Sequence, residues 1–242
     1  MNPGTADERI AYGGDPNQFF DVYDAKGTPR GTAVMIHGGF WRSRWDLSNA
    51  SNLCRGLSRA GYQVASLEYR RVGETGGGWP ETFEDVVAGF HAAREKMGPA
   101  MKPVVAGHSA GGHLALRLAV ATDAMAGVVA LAPAAVLQLG FRLHLGSGAT
   151  EEFLGGAPEA IPDVYEAACP SRHASCVRRI LLHGSADDVV PLEVSEAFLA
   201  ARAADAGRVE LVRLEGVDHM ELIDPESRTW PAVLAAFETL RG

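Results

Sequence analysis

Short apolar runs alternate along this chain with longer stretches in which apolar residues recur every three or four positions. Thr32–His37 (TAVMIH), Gln63–Glu68 (QVASLE), Pro103–Gly107 (PVVAG), Gly127–Ala132 (GVVALA), Arg179–His183 (RILLH) and Val209–Leu214 (VELVRL) read as strands. Four are nearly unbroken hydrophobic runs, the pattern of central parallel strands covered on both faces. Phe19–Tyr23 (FFDVY) alternates more and predicts an antiparallel edge strand. The helical spacing predicts helices over Asn49–Ala60, Pro80–Met97, Ala110–Ala121, Leu192–Ala204 and Pro225–Leu240. Thr82 followed by Asp85 reads as a capping signal, and Pro191 and Pro225 suit first-turn positions. Strand–helix alternation of this kind predicts a mostly parallel, doubly wound α/β sheet with right-handed crossovers.

The rhythm breaks once. Residues 135–177 hold no convincing strand and are dense in Gly, Pro and scattered hydrophobes. A connection that long is an insertion with a function or a disordered segment. Phe141, Leu143, Leu145, Phe153, Leu154 and Tyr165 argue for packed structure, so a small helical cap is expected there. No linker-like shift in composition and no repeat appears, so residues 1–242 are read as one domain carrying that insertion.

Composition narrows the function classes. The chain is 47% hydrophobic and 21% charged, enough apolar surface to offset chain entropy. Its net charge of −8 argues against a phosphate-backbone binder, which carries a basic patch. Cys54, Cys169 and Cys176 form neither a disulfide framework nor a Cys-x-x-Cys pair. The opening MNPGTADERIAYGG lacks the apolar segment of a secretory signal. The longest apolar stretch, Ala115–Ala135, is interrupted by Arg117, Thr122, Asp123 and Gly127. A cytoplasmic protein with no membrane or nucleic-acid partner is the expectation; a homodimer is left open.

Three short segments carry chemistry. Gly107-His108-Ser109-Ala110-Gly111 lies between a strand and a helix. A serine on such a turn stands clear of the sheet, and glycines on either side let neighbouring chain approach closely. A serine hydroxyl needs a base. In this topology an acid and then a histidine follow the serine. His219, in Gly216-Val217-Asp218-His219-Met220 after the last strand, is the only histidine beyond residue 183. The acid is expected at the C-terminal end of the strand that closes on His183, in His183-Gly184-Ser185-Ala186-Asp187-Asp188-Val189-Val190-Pro191. Asp187 is chosen, because H-G-x-x-D-x-x-V-P resembles the acid loop of many hydrolases. Asp188 is then a solvated neighbour, and Asp218 is too close in sequence to His219 to reach across to it. His37-Gly38-Gly39-Phe40-Trp41 follows another strand. The amides of Gly39, Phe40 and Ala110 are candidate donors to a tetrahedral oxyanion. His37 is expected to be buried and structural. His91, His113, His144 and His173 are too scattered for a ligand set, so no metal or cofactor is expected.

These motifs make the chain similar to α/β-hydrolases over nearly its whole length. Within them, HGGFW resembles the HGGxW signature of kynurenine formamidases (arylformamidases) and their esterase relatives. Tyr12-Gly13, Gln18 through Tyr23, Glu68-Tyr69-Arg70-Arg71, Trp79-Pro80, Asp85-Val86 and the histidine loop Asp218–Asp224 fit the same group. The resemblance implies a serine hydrolase with the triad Ser109, Asp187 and His219, acting on a small-molecule amide or ester. An arylformamidase on N-formylkynurenine-like substrates is the leading expectation. A broad short-chain carboxylesterase is the alternative, and a non-catalytic binding protein on a hydrolase scaffold the remote one. Trp41, Trp79, Leu137, Phe141 and Met220 are candidates for the substrate pocket. Arg42, Arg70, Arg71 and Arg142 are candidates for an anionic substrate group.

Overall fold

The computed structural model describes residues 5–205 and 207–241. Its centre is one eight-stranded sheet: β1 (Glu8–Ala11), β2 (Phe19–Tyr23), β3 (Gly31–Ile36), β4 (Tyr62–Leu67), β5 (Val104–His108), β6 (Gly127–Leu131), β7 (Arg179–Gly184) and β8 (Val209–Leu214). The spatial order is β1-β2-β4-β3-β5-β6-β7-β8. Strands β3 to β8 pair in parallel, while β2 runs antiparallel to both β1 and β4. This is the α/β-hydrolase architecture that the motifs imply.

The unbroken apolar runs are explained by burial on two faces. Val34, Ile36, Val105 and Leu181 join one core with Phe90 and Leu114. Their strand neighbours Ala33, Met35, Val104, Ala106, Ile180 and Leu182 join a second core with Leu53, Leu57 and Phe237. The first core is covered by α2 (Glu81–Met97), α3 (Ala110–Ala121) and α7 (Glu193–Ala201), the second by α1 (Ser51–Arg59) and α8 (Trp230–Leu240). Among the described residues no helix is long and apolar enough to cross a membrane.

Several expectations need correction. β2 is antiparallel as expected but is not the edge; β1 covers it. β1 is short and largely exposed, so it has no apolar pattern to read, and the Arg9–Asp21 ion pair at 2.7 Å helps fasten it. Thr82 does not cap α2. Pro80 holds the cap position, and Thr82 Oγ1 donates to the Arg70 carbonyl at 2.6 Å while accepting from the Gly78 amide. Pro225 lies in a loop; α8 begins at Trp230 with Pro231 in its first turn. The insertion after β6 contains α4 (Leu137–Arg142), α5 (Ala149–Leu154), α6 (Pro162–Ala168) and a 3₁₀ turn at Pro170–Arg172, and no strand.

Buried charges in the frame are paired. Arg179, 1% exposed at the start of β7, donates to the carbonyls of Ser175 and Val177 and to the carboxylate of Asp205. Arg202 reaches the same carboxylate at 2.9 Å. Removing one member of such a cluster strands the others without water. Asp205→Ala is therefore expected to lower the unfolding free energy by about 3–5 kcal/mol, read from urea denaturation. A loss under ~1 kcal/mol would mean that the arginines find solvent instead.

Candidate active site

The loops that follow β3, β5, β7 and β8 meet at the C-terminal edge of the sheet, where open α/β folds place their sites. Ser109 sits between β5 and α3 with φ 57° and ψ −119°, a conformation that side-chain-bearing residues rarely adopt. The turn closes only because its flanking residues lack side chains. A Cβ on Gly107 would stand 2.1 Å from the Gly111 carbonyl oxygen, and one on Gly111 would stand 2.2 Å from that of Ile36. Hydrogen bonds fix the strained residue: its amide donates to Leu131 at 2.8 Å, and its carbonyl accepts from His113 and Ala134 at 3.1 Å.

His219 is 5% exposed and donates through Nδ1 to Asp187 Oδ2 at 2.7 Å. The other oxygen of Asp187 accepts from the amides of Val189 and Val190 at 2.9 and 2.8 Å. His183 adds a contact at 3.4 Å from β7. Burial alone would raise the Asp187 pKa. Hydrogen bonds from His183, His219 and the Val190 amide outweigh it and hold the carboxyl well below the usual carboxylate range. Asp188 is exposed. Asp218 turns away, its Oδ1 accepting from the amides of Met220 and Glu221. The structure thus brings Asp187, and neither neighbour, to His219.

Ser109 and His219 line one cavity of about 180 Å³ with Gly39, Phe40, Trp45, Asn49, His108, Val189 and Met220. Phe40 and Trp41 also adopt positive φ, 53° and 57°. Among the described residues the amides of Gly39 and Phe40 donate to no acceptor, and that of Ala110 opens α3, where a helix has no acceptor of its own. His37 is fully buried, with Nε2 on Glu68 at 2.9 Å and Nδ1 on the Gly38 carbonyl at 2.7 Å. Burial pushes Glu68 upward, but His37, next in size, and Arg71 bring it below its usual value.

Of the expected pocket residues, only Met220 lines this cavity. Trp41 is a core residue, 1% exposed and stacked on Phe153 at 4.6 Å. Leu137 is buried, and Trp79 stacks on Phe83 at 5.4 Å. Phe141 lines a separate cavity of about 720 Å³, together with Arg142. The other arginines are engaged in the frame: Arg42 with Glu152 and the Gly146 carbonyl, Arg70 with Asp85, and Arg71 with Glu74 and the Trp45 carbonyl. Sequence reasoning missed Trp45, which is 46% exposed at the cavity mouth and bears no motif. It also passed over His108, although the residue lies inside the Gly107–Gly111 motif.

The Nδ1–Asp187 bond has a direct readout. The deshielded proton resonance expected of a short charge-assisted bond should disappear in Asp187→Asn and persist in Asp188→Asn. Persistence in the first variant, or loss in the second, would move the acid to another residue.

The BD-FAE family model matches residues 20–201. "Esterase LipC" of Mycobacterium tuberculosis is 27% identical over 94% of this chain, which spans 62% of that protein's length. A truncated carbohydrate esterase from gut microbiota superposes with a TM-score of 0.79 at 19% identity, covering 97% of this chain and 98% of that one. Esterase 2 of Thermogutta terrifontis superposes with a TM-score of 0.75 at 21% identity, covering 98% and 92%. The two structural likenesses are of fold, whereas the family model takes in most of the sequence, both glycine-flanked motifs included: the chain belongs to the BD-FAE family.

Proposed function

We propose that this chain is a serine esterase that cleaves short-acyl esters through an acyl-enzyme on Ser109. One observation carries the reading: the strained Ser109 and the His219 bound to Asp187 line the same small cavity. His219 takes the Ser109 proton as Oγ attacks the ester carbonyl carbon. Asp187 holds the Nδ1–H tautomer, which leaves Nε2 as the base, and its carboxylate offsets the imidazolium charge. The amides of Gly39, Phe40 and Ala110 receive the oxyanion, preset dipoles that need no reorganisation. The imidazolium protonates the departing alkoxide, and the alcohol leaves. Water, giving its proton to His219, then attacks the acyl carbonyl, and the acid leaves as Ser109 regains its proton.

Two features favour short acyl esters. The cavity, about 180 Å³, is smaller than the roughly 300–1,000 Å³ of drug-sized ligand sites. Phe40, Trp45, Val189 and Met220 give it an apolar lining suited to an acyl chain of few carbons. Esterase is the name borne by the Mycobacterium relative, and Thermogutta esterase 2 is known phosphonylated by sarin and with butyrate bound. The arylformamidase reading loses support because it called on Trp41, Trp79, Leu137 and Phe141, beside Met220, for its substrate pocket. None of the four lines this cavity.

Ser109→Ala is expected to lower kcat on p-nitrophenyl acetate by on the order of 10⁴–10⁶ while the fold persists. A fluorophosphonate probe should label the wild type and spare the variant; labelling at another serine refutes the assignment.

Across p-nitrophenyl esters, kcat/KM should be highest for acetate to butyrate. It should fall by about tenfold or more per methylene once the chain outgrows the cavity. N-formylkynurenine should be a poorer substrate than the acetate. Faster turnover of octanoate would sink the short-acyl reading, and faster turnover of N-formylkynurenine would restore the formamidase.

A further inference from the structure

His108, the residue before Ser109, has no part in the reaction as written. It ends β5, is 2% exposed and lines the cavity with Ser109 and His219. Two contacts with His219 converge on its ring. Nε2 lies 3.0 Å from the main-chain carbonyl oxygen of His219. The two imidazoles have centroids 4.4 Å apart and planes tilted by 45°. On its other side, Nδ1 would stand 3.3 Å from a Cβ built on Gly38, at the base of the glycine pair.

A carbonyl only accepts, so Nε2 carries the proton and donates. Burial, and after it the neighbouring His219, hold the His108 pKa down to about 3. The ring is therefore neutral near pH 7, with Nδ1 bare. The other titratable groups facing it are Asp187 in the acid loop and His183 on β7. At His219 itself the main chain has one hydrogen bond among the described residues, the bond from His108. Its sequence neighbours are bonded within their own turn, Asp218 Oδ1 accepting from the Met220 and Glu221 amides, and the Asp218 and Met220 side chains are exposed.

We infer that His108 is a positioning residue for His219. Its Nε2–H pins the backbone of the histidine loop while Asp187 fixes the ring, so two points set where His219 Nε2 meets Ser109. The inference rests on the esterase reading. A neutral donor suits the place: a cation this close would oppose the imidazolium that His219 becomes.

The test separates this from a packing role. His108→Phe keeps the volume and loses the donor; His108→Gln places an amide N–H near the Nε2 position. On p-nitrophenyl acetate, His108→Phe should lower kcat roughly 10–100-fold, the scale of a misplaced catalytic group, with KM and thermal midpoint little changed. The midpoint of its pH–rate profile should not move, because the lost ring is uncharged. His108→Gln should recover most of the kcat. A wild-type rate in His108→Phe, or a Gln variant no faster than Phe, overturns the proposal. Should His108→Phe fail to fold, the wild type still decides: imidazole ¹⁵N shifts should report a neutral Nε2–H tautomer at His108 that does not titrate between about pH 5 and 8. The opposite tautomer, or a titration in that range, also overturns it. If wild-type Ser109 neither reacts with the fluorophosphonate nor turns over ester, the esterase reading fails, while the tautomer remains a separate readout of the bond.

Discussion

Everything at the site depends on one backbone constraint, the close passage of chain around Ser109. The residue is held at φ 57° because β5 must turn at once into α3 beneath the loop that leaves β3. That passage is open only where Gly107 and Gly111 carry no Cβ. The strain is balanced by the parallel sheet, which seats β5 between β3 and β6, and by three hydrogen bonds to Ser109. A looser scaffold would let the turn relax and withdraw the hydroxyl from the cavity.

Around this turn, buried polar groups act less as sources of stability than as fixtures. Glu68, 1% exposed at the end of β4, accepts from His37, Leu47 and Tyr69 and lies 3.3 Å from Arg71. Tyr69 donates to the His37 carbonyl at 2.7 Å and stacks on its ring. The strand end that launches Gly38 and Gly39 is thus clamped from both sides. A second network joins Gln18 and Arg70 to Asp85, while Tyr12 donates to the Glu68 carbonyl, tying the N-terminal hairpin to α2 and β4. Replacing such pairs by apolar groups need not weaken the fold, but breaking one leaves a charge without water or partner. These are the residues that surround the HGGFW and GHSAG motifs in the sequence, and their contacts give a physical reason for the company they keep.

Much was legible from the chain alone because the signals are local. A strand buried on two faces needs consecutive apolar residues, and β5, β6 and β7 supply them. A sharp strand-to-helix turn needs glycines at fixed spacing, so Gly107 and Gly111 mark Ser109. Order along the chain then singled out His219, and the H-G-x-x-D-x-x-V-P pattern chose Asp187 over Asp188. The exposed β1 escaped notice, since a strand held by cross-strand pairing alone carries no apolar pattern.

What sequence determined, then, is the identity of the groups and the topology that orders them, since burial period and turn chemistry are properties of neighbouring residues. The pattern of the acid loop also chose Asp187 over Asp188, and the tertiary structure supplies the reason: the Val189 and Val190 amides claim one oxygen of Asp187 and turn the other to His219. Only the tertiary structure removed Trp41, Leu137, Trp79 and Phe141 from the cavity and put Trp45 there. An aromatic residue in a loop has no period, and whether it packs on Phe153 or opens to substrate depends on chain more than a hundred residues away.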